Sequence, residues 1–215
     1  MEQVKIEGKK IPDVETFIYL GGVVTSKGGC DEDISNRLCK AKTQFRRLRK
    51  IWSSSCFSVQ TKIKLFNSLA MSVLTYGSET WKTTERDKKK LDTFQNRCLR
   101  QLLRVRWPDK ISKEELHRRT RTTNVSETVK HRKWKWVGHV LRMNDTRICT
   151  NALTWQPKGK RKVGRQKTTW RRTTEQERSE LGWNSWASAR AVARDRGRWK
   201  QFIGALCASG HEENR

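Results

Sequence analysis

A chain of 215 residues can bury a core in one large domain or two small ones, and two are expected here. Hydrophobic residues make up 34%, or about 40% with the 13 glycines added, below the roughly 45–50% usual for globular domains, so the core is thin and the ten tryptophans supply much of it. Forty-eight Lys and Arg against 22 Asp and Glu leave a formal charge of +26, which repels itself unless a polyanion is near and points to nucleic acid as the partner. No apolar run approaches the roughly 20 residues that span a bilayer, and the polar amino terminus has no stretch of signal-peptide type. The six cysteines show no CxxC pair and no regular spacing, which disfavours a disulfide framework. A nuclear or cytoplasmic protein that is not secreted and meets no membrane is expected.

In chain order, residues 15 to 27 alternate and then run apolar, rich in β-branched side chains, with Gly21-Gly22 in the middle. This predicts a β-hairpin within residues 1–30, and since a lone hairpin is marginal in water it must pack on something. Asp31 or Asp33 then caps a helix whose apolar positions Ile34, Leu38, Ala41, Phe45, Leu48 and Trp52 step by three and four. A second helix starts at Ser58, turns Ile63, Phe66, Leu69, Ala70, Val73 and Leu74 inward, and ends near Tyr76-Gly77. A third runs from about Glu85 to Arg106 with Leu91, Phe94, Cys98, Leu102 and Val105 on one stripe, stopped by Trp107-Pro108. These helices make a bundle over residues 31–110.

Beyond it, residues 111–207 read as a basic helical tail. Ser112-x-x-Glu115 and Asn124-x-x-Glu127 match capping boxes, the second opening a helix that reaches Met143 with Val129, Trp136, Val137, Val140 and Leu141 inward. Short helices are predicted over 146–154, 168–181, 185–193 and 195–206, with an exposed basic loop at 156–167 and a fraying terminus at 208–215. Between Leu116 and Thr174, 17 Lys and Arg face only Glu127 and Asp145, a surplus of 15 out of the chain's 26. Residues 31 to 115, by contrast, interleave acidic with basic side chains as solvated helix faces do. The second half is therefore the better binding candidate.

Two-metal chemistry requires carboxylates on adjacent strand ends, and no Asp-Asp pair occurs in the sequence. Asp31-Glu32-Asp33 sits at a helix start, where acids serve the exposed amides. His131, His139 and Cys149 fit no zinc finger or knuckle, and no phosphate-loop motif is present. No catalytic residue, metal site or cofactor is expected. What remains is recognition of phosphate and bases. Lys158, Lys160, Arg161, Lys162, Arg165 and Lys167 crowd one loop, followed by Arg171 and Arg172, a tract suited to phosphate contact or to nuclear import. In Lys133-Trp134-Lys135-Trp136, Trp136 falls on the inward stripe; Trp134 lies to the side, free to stack on a base or to pack against a neighbouring helix.

Four stretches carry a family resemblance: Phe17-Ile18-Tyr19-Leu20-Gly21, Leu74-Thr75-Tyr76-Gly77-Ser78-Glu79-Thr80-Trp81, Trp136-Val137-Gly138-His139-Val140-Leu141-Arg142-Met143 and Gly164-Arg165-Gln166-Lys167-Thr168-Thr169-Trp170. In this order they resemble the carboxy-terminal portion of non-LTR (LINE-type) retrotransposon reverse transcriptases. The resemblance implies a mainly α chain: a short amino-terminal β-hairpin, with Tyr19, Leu20, Gly21 and Gly22 as a primer grip, then a thumb-like helical bundle and a basic helical nucleic-acid-binding tail. It further implies catalytic carboxylates upstream of Met1 in a palm on which the hairpin would rest, an endonuclease domain at the element's other end, and magnesium only in an intact polymerase. The chain itself would then be no enzyme but a fragment that grips RNA, DNA or a hybrid. The other reading is an independently expressed basic helical RNA- or DNA-binding protein, a co-opted or decayed retroelement remnant.

Overall fold

The structure, a computed structural model, describes residues 5–26, 28–155 and 168–208. The basic loop at 156–167 and the terminus from 209 onward, expected to fray, lie outside the described residues. The fold is mainly helical with short antiparallel hairpins at the amino-terminal end.

A first hairpin, β1 (Lys5–Ile6) and β2 (Lys9–Lys10), turns through Glu7 and Gly8 and was not legible in a segment so polar. The second pairs β3 (Thr16–Tyr19) with β4 (Gly22–Thr25) in the register Phe17 to Val24 and Ile18 to Val23. Its two-residue turn holds both Leu20 (φ 48°) and Gly21 (φ 77°) in the left-handed region, as a hairpin turn matched to strand twist requires. The hairpin finds its support within the chain. Helix α1 (Asp31–Arg47) provides it: Asp33 Oδ1 accepts the Val23 N–H at 3.0 Å, and Lys40 Nζ donates to the Gly21 carbonyl at 3.1 Å.

Helix α1 buries Ile34, Leu38, Ala41 and Phe45 as its period predicts, and α2 (Arg49–Ser53) lays Trp52 on Phe45 with ring centroids 5.2 Å apart. The N-cap of α1 is Cys30, without a side-chain cap, so the expectation that Asp31 or Asp33 caps the helix is corrected. Asp33 is drawn inward instead, accepting the Trp81 indole N–H at 2.8 Å as well as the hairpin amide. The second helix begins at Ser58, whose side chain accepts the Thr61 amide, and runs as α3 (Val59–Leu65), a π-helical turn (Phe66–Met71) and α4 (Ser72–Thr75). The wider turn shifts the phase of the buried face. Leu69, expected inward, is exposed, and Met71 takes its place in the core.

Helix α5 (Glu85–Leu102) opens with a capping box between Thr84 and Asp87. It stops four residues before the predicted end because Arg104 adopts φ 56° and the Val105 amide reaches back to the Arg100 carbonyl at 3.0 Å. A left-handed residue closing the last turn, rather than the proline, terminates the helix. Helix α6 (Lys113–Thr120) is capped by Ser112, while Glu115 turns away to Arg118 and Arg119, whose hydrogen bonds hold its carboxyl down to about 2.

Helix α7 (Val125–Leu141) is the central element. Its start is capped from outside: Asp92 of α5 accepts the Ser126 amide and hydroxyl, and Gln95 accepts the Val125 amide while donating to the Thr123 carbonyl. Asn124 makes no side-chain cap, which corrects the second predicted capping box. Val125 and Val129 belong to the core built by α1 to α6; Trp134, Val137, Val140 and Leu141 belong to a second core with α8 (Ile148–Thr154), α10 (Trp186–Arg194) and α11 (Arg196–Ala208). Helix α9 (Trp170–Glu180) packs Trp170 edge-on to Trp136, with centroids 5.8 Å apart, and donates its indole N–H to the Glu79 carbonyl at 2.8 Å. Because α7 meets different neighbours along its length, no single stripe describes its buried side.

Glycine inside a helix is destabilising, yet Gly138 has a reason to be there. The Trp199 indole lies across it, stacked on Trp183 at 5.0 Å and donating to the Trp134 carbonyl; a Cβ on Gly138 would lie 2.7 Å from Trp199 Cδ1 and nearer still to Nε1. Gly138→Ala is expected to cost about 1–3 kcal/mol through overpacking, whereas Gly204→Ala, with open space around it, should be neutral or mildly stabilising. Thermal unfolding of both variants measures this.

Burial raises the Cys98 thiol to about 12 and the Cys30 thiol to about 11, while Cys39 and Cys56 are exposed. Thiolate being the reactive form, iodoacetamide on the native protein at pH 8 should modify Cys39 and Cys56 well before Cys30 and Cys98. Peptide mass spectrometry at successive times gives the order.

Candidate nucleic-acid interface

The residues singled out in the sequence divide. Tyr19 and Leu20 are exposed at the tip of the second hairpin, with Phe17, Ile18 and Val24 beside them. Gly21 and Gly22 face Arg37 and Lys40 of α1, so the turn is anchored to its own helix. Lys135 is exposed on α7 and Arg172 on α9. Arg171 bonds Glu175 and donates to the Thr154 and Trp155 carbonyls, tying α9 to the end of α8. Lys158, Lys160, Arg161, Lys162, Arg165 and Lys167 lie outside the described residues.

Lys133 requires correction, and of the two places open to Trp134 the structure has the packed one. Both are fully buried, and both meet the same carboxylate: Glu177 Oε1 accepts from Lys133 Nζ at 2.6 Å and Oε2 from Trp134 Nε1 at 2.7 Å. Burial lowers the Lys133 ammonium below the ordinary lysine range and Glu177 opposes that shift. Neither side chain is offered to a base or phosphate. Trp136, expected inward, is the partly exposed member of the pair. The inversion arises because α9 and α11 cover the side of α7 that the period leaves to solvent.

A different cationic surface emerges in the first half. Along α5 and its exit, Arg86, Lys90, Thr93, Arg97, Arg100 and Arg104 recur at steps of four and three, all basic but one, on a face distinct from the buried Leu91, Phe94, Cys98 and Leu102. With α1 and α2 this face bounds successive grooves. One, floored by Leu38 and Phe94, is lined by Lys42, Arg86, Lys89, Lys90 and Arg97. The next shares Arg97 and adds Arg49, Arg100, Arg104 and Arg106, and a third shares Arg100 and Arg106 and adds Trp107 and Lys110. Asp109 is the carboxylate lining them among the described residues.

Charge counting conceals this surface because the local acids are turned elsewhere. On α5, Asp87 is buried in the capping box, Asp92 caps α7, and Glu85 pairs with Lys88. Among the described residues, Lys90 is the stripe member with a carboxylate in reach, Asp87 Oδ1 at 4.0 Å, and the arginines of the stripe pair with none. Its helical spacing was the available signal. At 1.5 Å per residue the stripe spans roughly 27 Å, about eight base-pair steps of a duplex strand. A smaller cluster in the second half gathers Arg142, Arg190, Arg194 and Arg196 around Asp145, which pairs with Arg190. No group of three His, Cys, Asp or Glu suited to a metal occurs among the described residues, and no helix is long and apolar enough to cross a membrane.

Comparison with known proteins adds a relationship. Residues 44–76, from the end of α1 through α4, match a domain of unknown function, DUF6451. Over 166 residues, 75% of the chain, the sequence is 28% identical to an uncharacterized transposon-derived protein of Caenorhabditis elegans. The chain spans 59% of that relative's length. No solved structure matches. The chain is thus distantly related to a transposon-derived protein.

Every phosphate that the protein ceases to neutralise flattens the dependence of log K on log salt by about 0.9. Replacing Lys42, Lys89 and Arg97 with Gln should therefore weaken binding to duplexes of unrelated sequence alike and flatten the salt slope by about two to three units. Titrations between 50 and 200 mM salt decide; an unchanged slope would remove this groove from the interface.

Proposed function

We propose that the chain is the thumb and tail portion of a retrotransposon RNA-directed DNA polymerase, holding template and primer by their backbones without catalysing extension. The observation that carries this reading is the arginine-rich basic stripe on α5, in which Lys90 alone among the described residues meets a carboxylate, facing α1 and α2 across an open groove. A surface of this kind binds a polyanion by releasing condensed counterions and needs no base contacts, which suits a grip that must accept any sequence. Relationship to a transposon-derived protein supports the retroelement setting.

The packing of the four family-like stretches is consistent with one working unit. Val23, next to the Tyr19–Gly22 turn, reaches Asp33, which accepts from Trp81; the Tyr76 ring lies under Arg37 at 4.7 Å; the Glu79 carbonyl accepts from Trp170, which meets Trp136. The exposed apolar hairpin would serve as the surface that meets a catalytic domain. Gly21 would keep the primer-grip turn in its left-handed shape, which a β-branched residue resists even without a bound strand.

Catalysis of nucleotide transfer would need paired carboxylates for two divalent ions, and the sequence has no Asp-Asp pair. Primer extension by the purified chain on an RNA template, with magnesium or manganese, should stay at background while duplex binding is salt-dependent. Template-directed incorporation by the pure protein would overturn the assignment of a non-catalytic grip. Binding indifferent to salt would overturn the backbone grip itself.

A further inference from the structure

Of the ten tryptophans, eight are buried or partly buried within the two cores, and Trp155 is 66% exposed. Trp107 is 94% exposed, so it contributes almost nothing to the fold. An indole left in water on a chain otherwise short of hydrophobic residues calls for another explanation than packing.

Its placement is fixed by its neighbours. The turn from Arg106 to Asp109 is closed twice, by the Asp109 amide on the Arg106 carbonyl at 2.7 Å and by the Arg106 amide on Asp109 Oδ2 at 3.3 Å. Trp107 therefore projects from a pinned turn: its backbone is held beside the groove while its ring, in water, is free to rotate onto a ligand. The same turn lies where the arginine groove along α5 continues, with Arg100, Arg106 and Lys110 around it. A strand whose phosphates track that groove arrives at the indole with its bases unread.

Resting on the nucleic-acid grip proposed above, we infer that Trp107 is a stacking platform for an unpaired base, so that the groove favours a strand with a single-stranded end over a blunt duplex. Bases in a duplex interior already stack on each other and leave no face for an indole. An unpaired base has that face, and stacking is tolerant of sequence, as is the phosphate track that leads to it.

The test is fluorescence anisotropy of the full chain with three labelled probes: a blunt duplex, the same duplex with a four-nucleotide single-stranded extension, and the isolated single strand. Trp107→Ala should weaken binding to the extended duplex and the single strand by about fivefold to a hundredfold, the size of one aromatic stack. Blunt-duplex affinity should stay within twofold. Trp107→Phe, which keeps a ring, should recover most of the loss. Since the side chain is exposed, circular dichroism of both variants should match the parent. Unchanged single-strand affinity in Trp107→Ala, or an equal loss on all three probes, overturns the inference while leaving the grip standing. Failure of the parent chain to bind any probe in a salt-dependent manner removes both.

Discussion

Taking the Lys133 ammonium out of water costs several kcal/mol unless an anion touches it, and Glu177 of α9 is that anion. The same carboxylate accepts the Trp134 indole, so one acid from a distant part of the sequence satisfies both buried polar groups on α7. Trp134 then meets Trp183 edge-on and lies beside Trp199, whose own position depends on the missing Cβ of Gly138. Removing Glu177 would leave a buried cation and an unpaired indole N–H together. The second core thus relies on this one carboxylate for its buried polar groups, while the Trp136–Trp170 contact and the Lys130–Glu180 pair also hold α9 against α7.

The first core repeats the arrangement with different residues. Asp33 of α1 is nearly buried, accepts the Trp81 indole and a hairpin amide, and has the Arg37 guanidinium 3.7 Å away. Asp87 closes the start of α5, and Asp92 with Gln95 closes the start of α7. In a chain with 22 acids, each one turned inward is absent from the surface. The basic face of α5 results from this use of carboxylates as internal acceptors: cohesion of the fold and the exposed positive field come from one allocation of charge.

Much of the helical order is legible in the sequence because α1 and α5 each bury one continuous stripe, which the 3.6 period reports. Leu69 and Met71 are misplaced by that period since a π-helical turn shifts the phase without any residue that announces it. Trp134 and Trp136 are exchanged for a different reason: α7 has neighbours on several sides, and amphipathicity carries no information about a helix covered from two directions. The cations of α5 pass for ordinary solvated charge when Asp87, Asp92 and Glu85 are counted against them. Only contacts between helices distant in sequence show that Asp92 is engaged elsewhere. Trp107 reads as part of a helix stop, and nothing local indicates that its ring stays in water.

The claim with most at stake is that nucleic acid lies along α5 with α1 and α2. Photocrosslinking of the full chain to an oligonucleotide carrying 5-iodouridine, with peptide sequencing of the adducts, examines it directly. The account predicts adducts within residues 42–53 and 86–110, whether or not the basic tail is also labelled. Adducts confined to residues 111–208, with none on the α5 face, would contradict it.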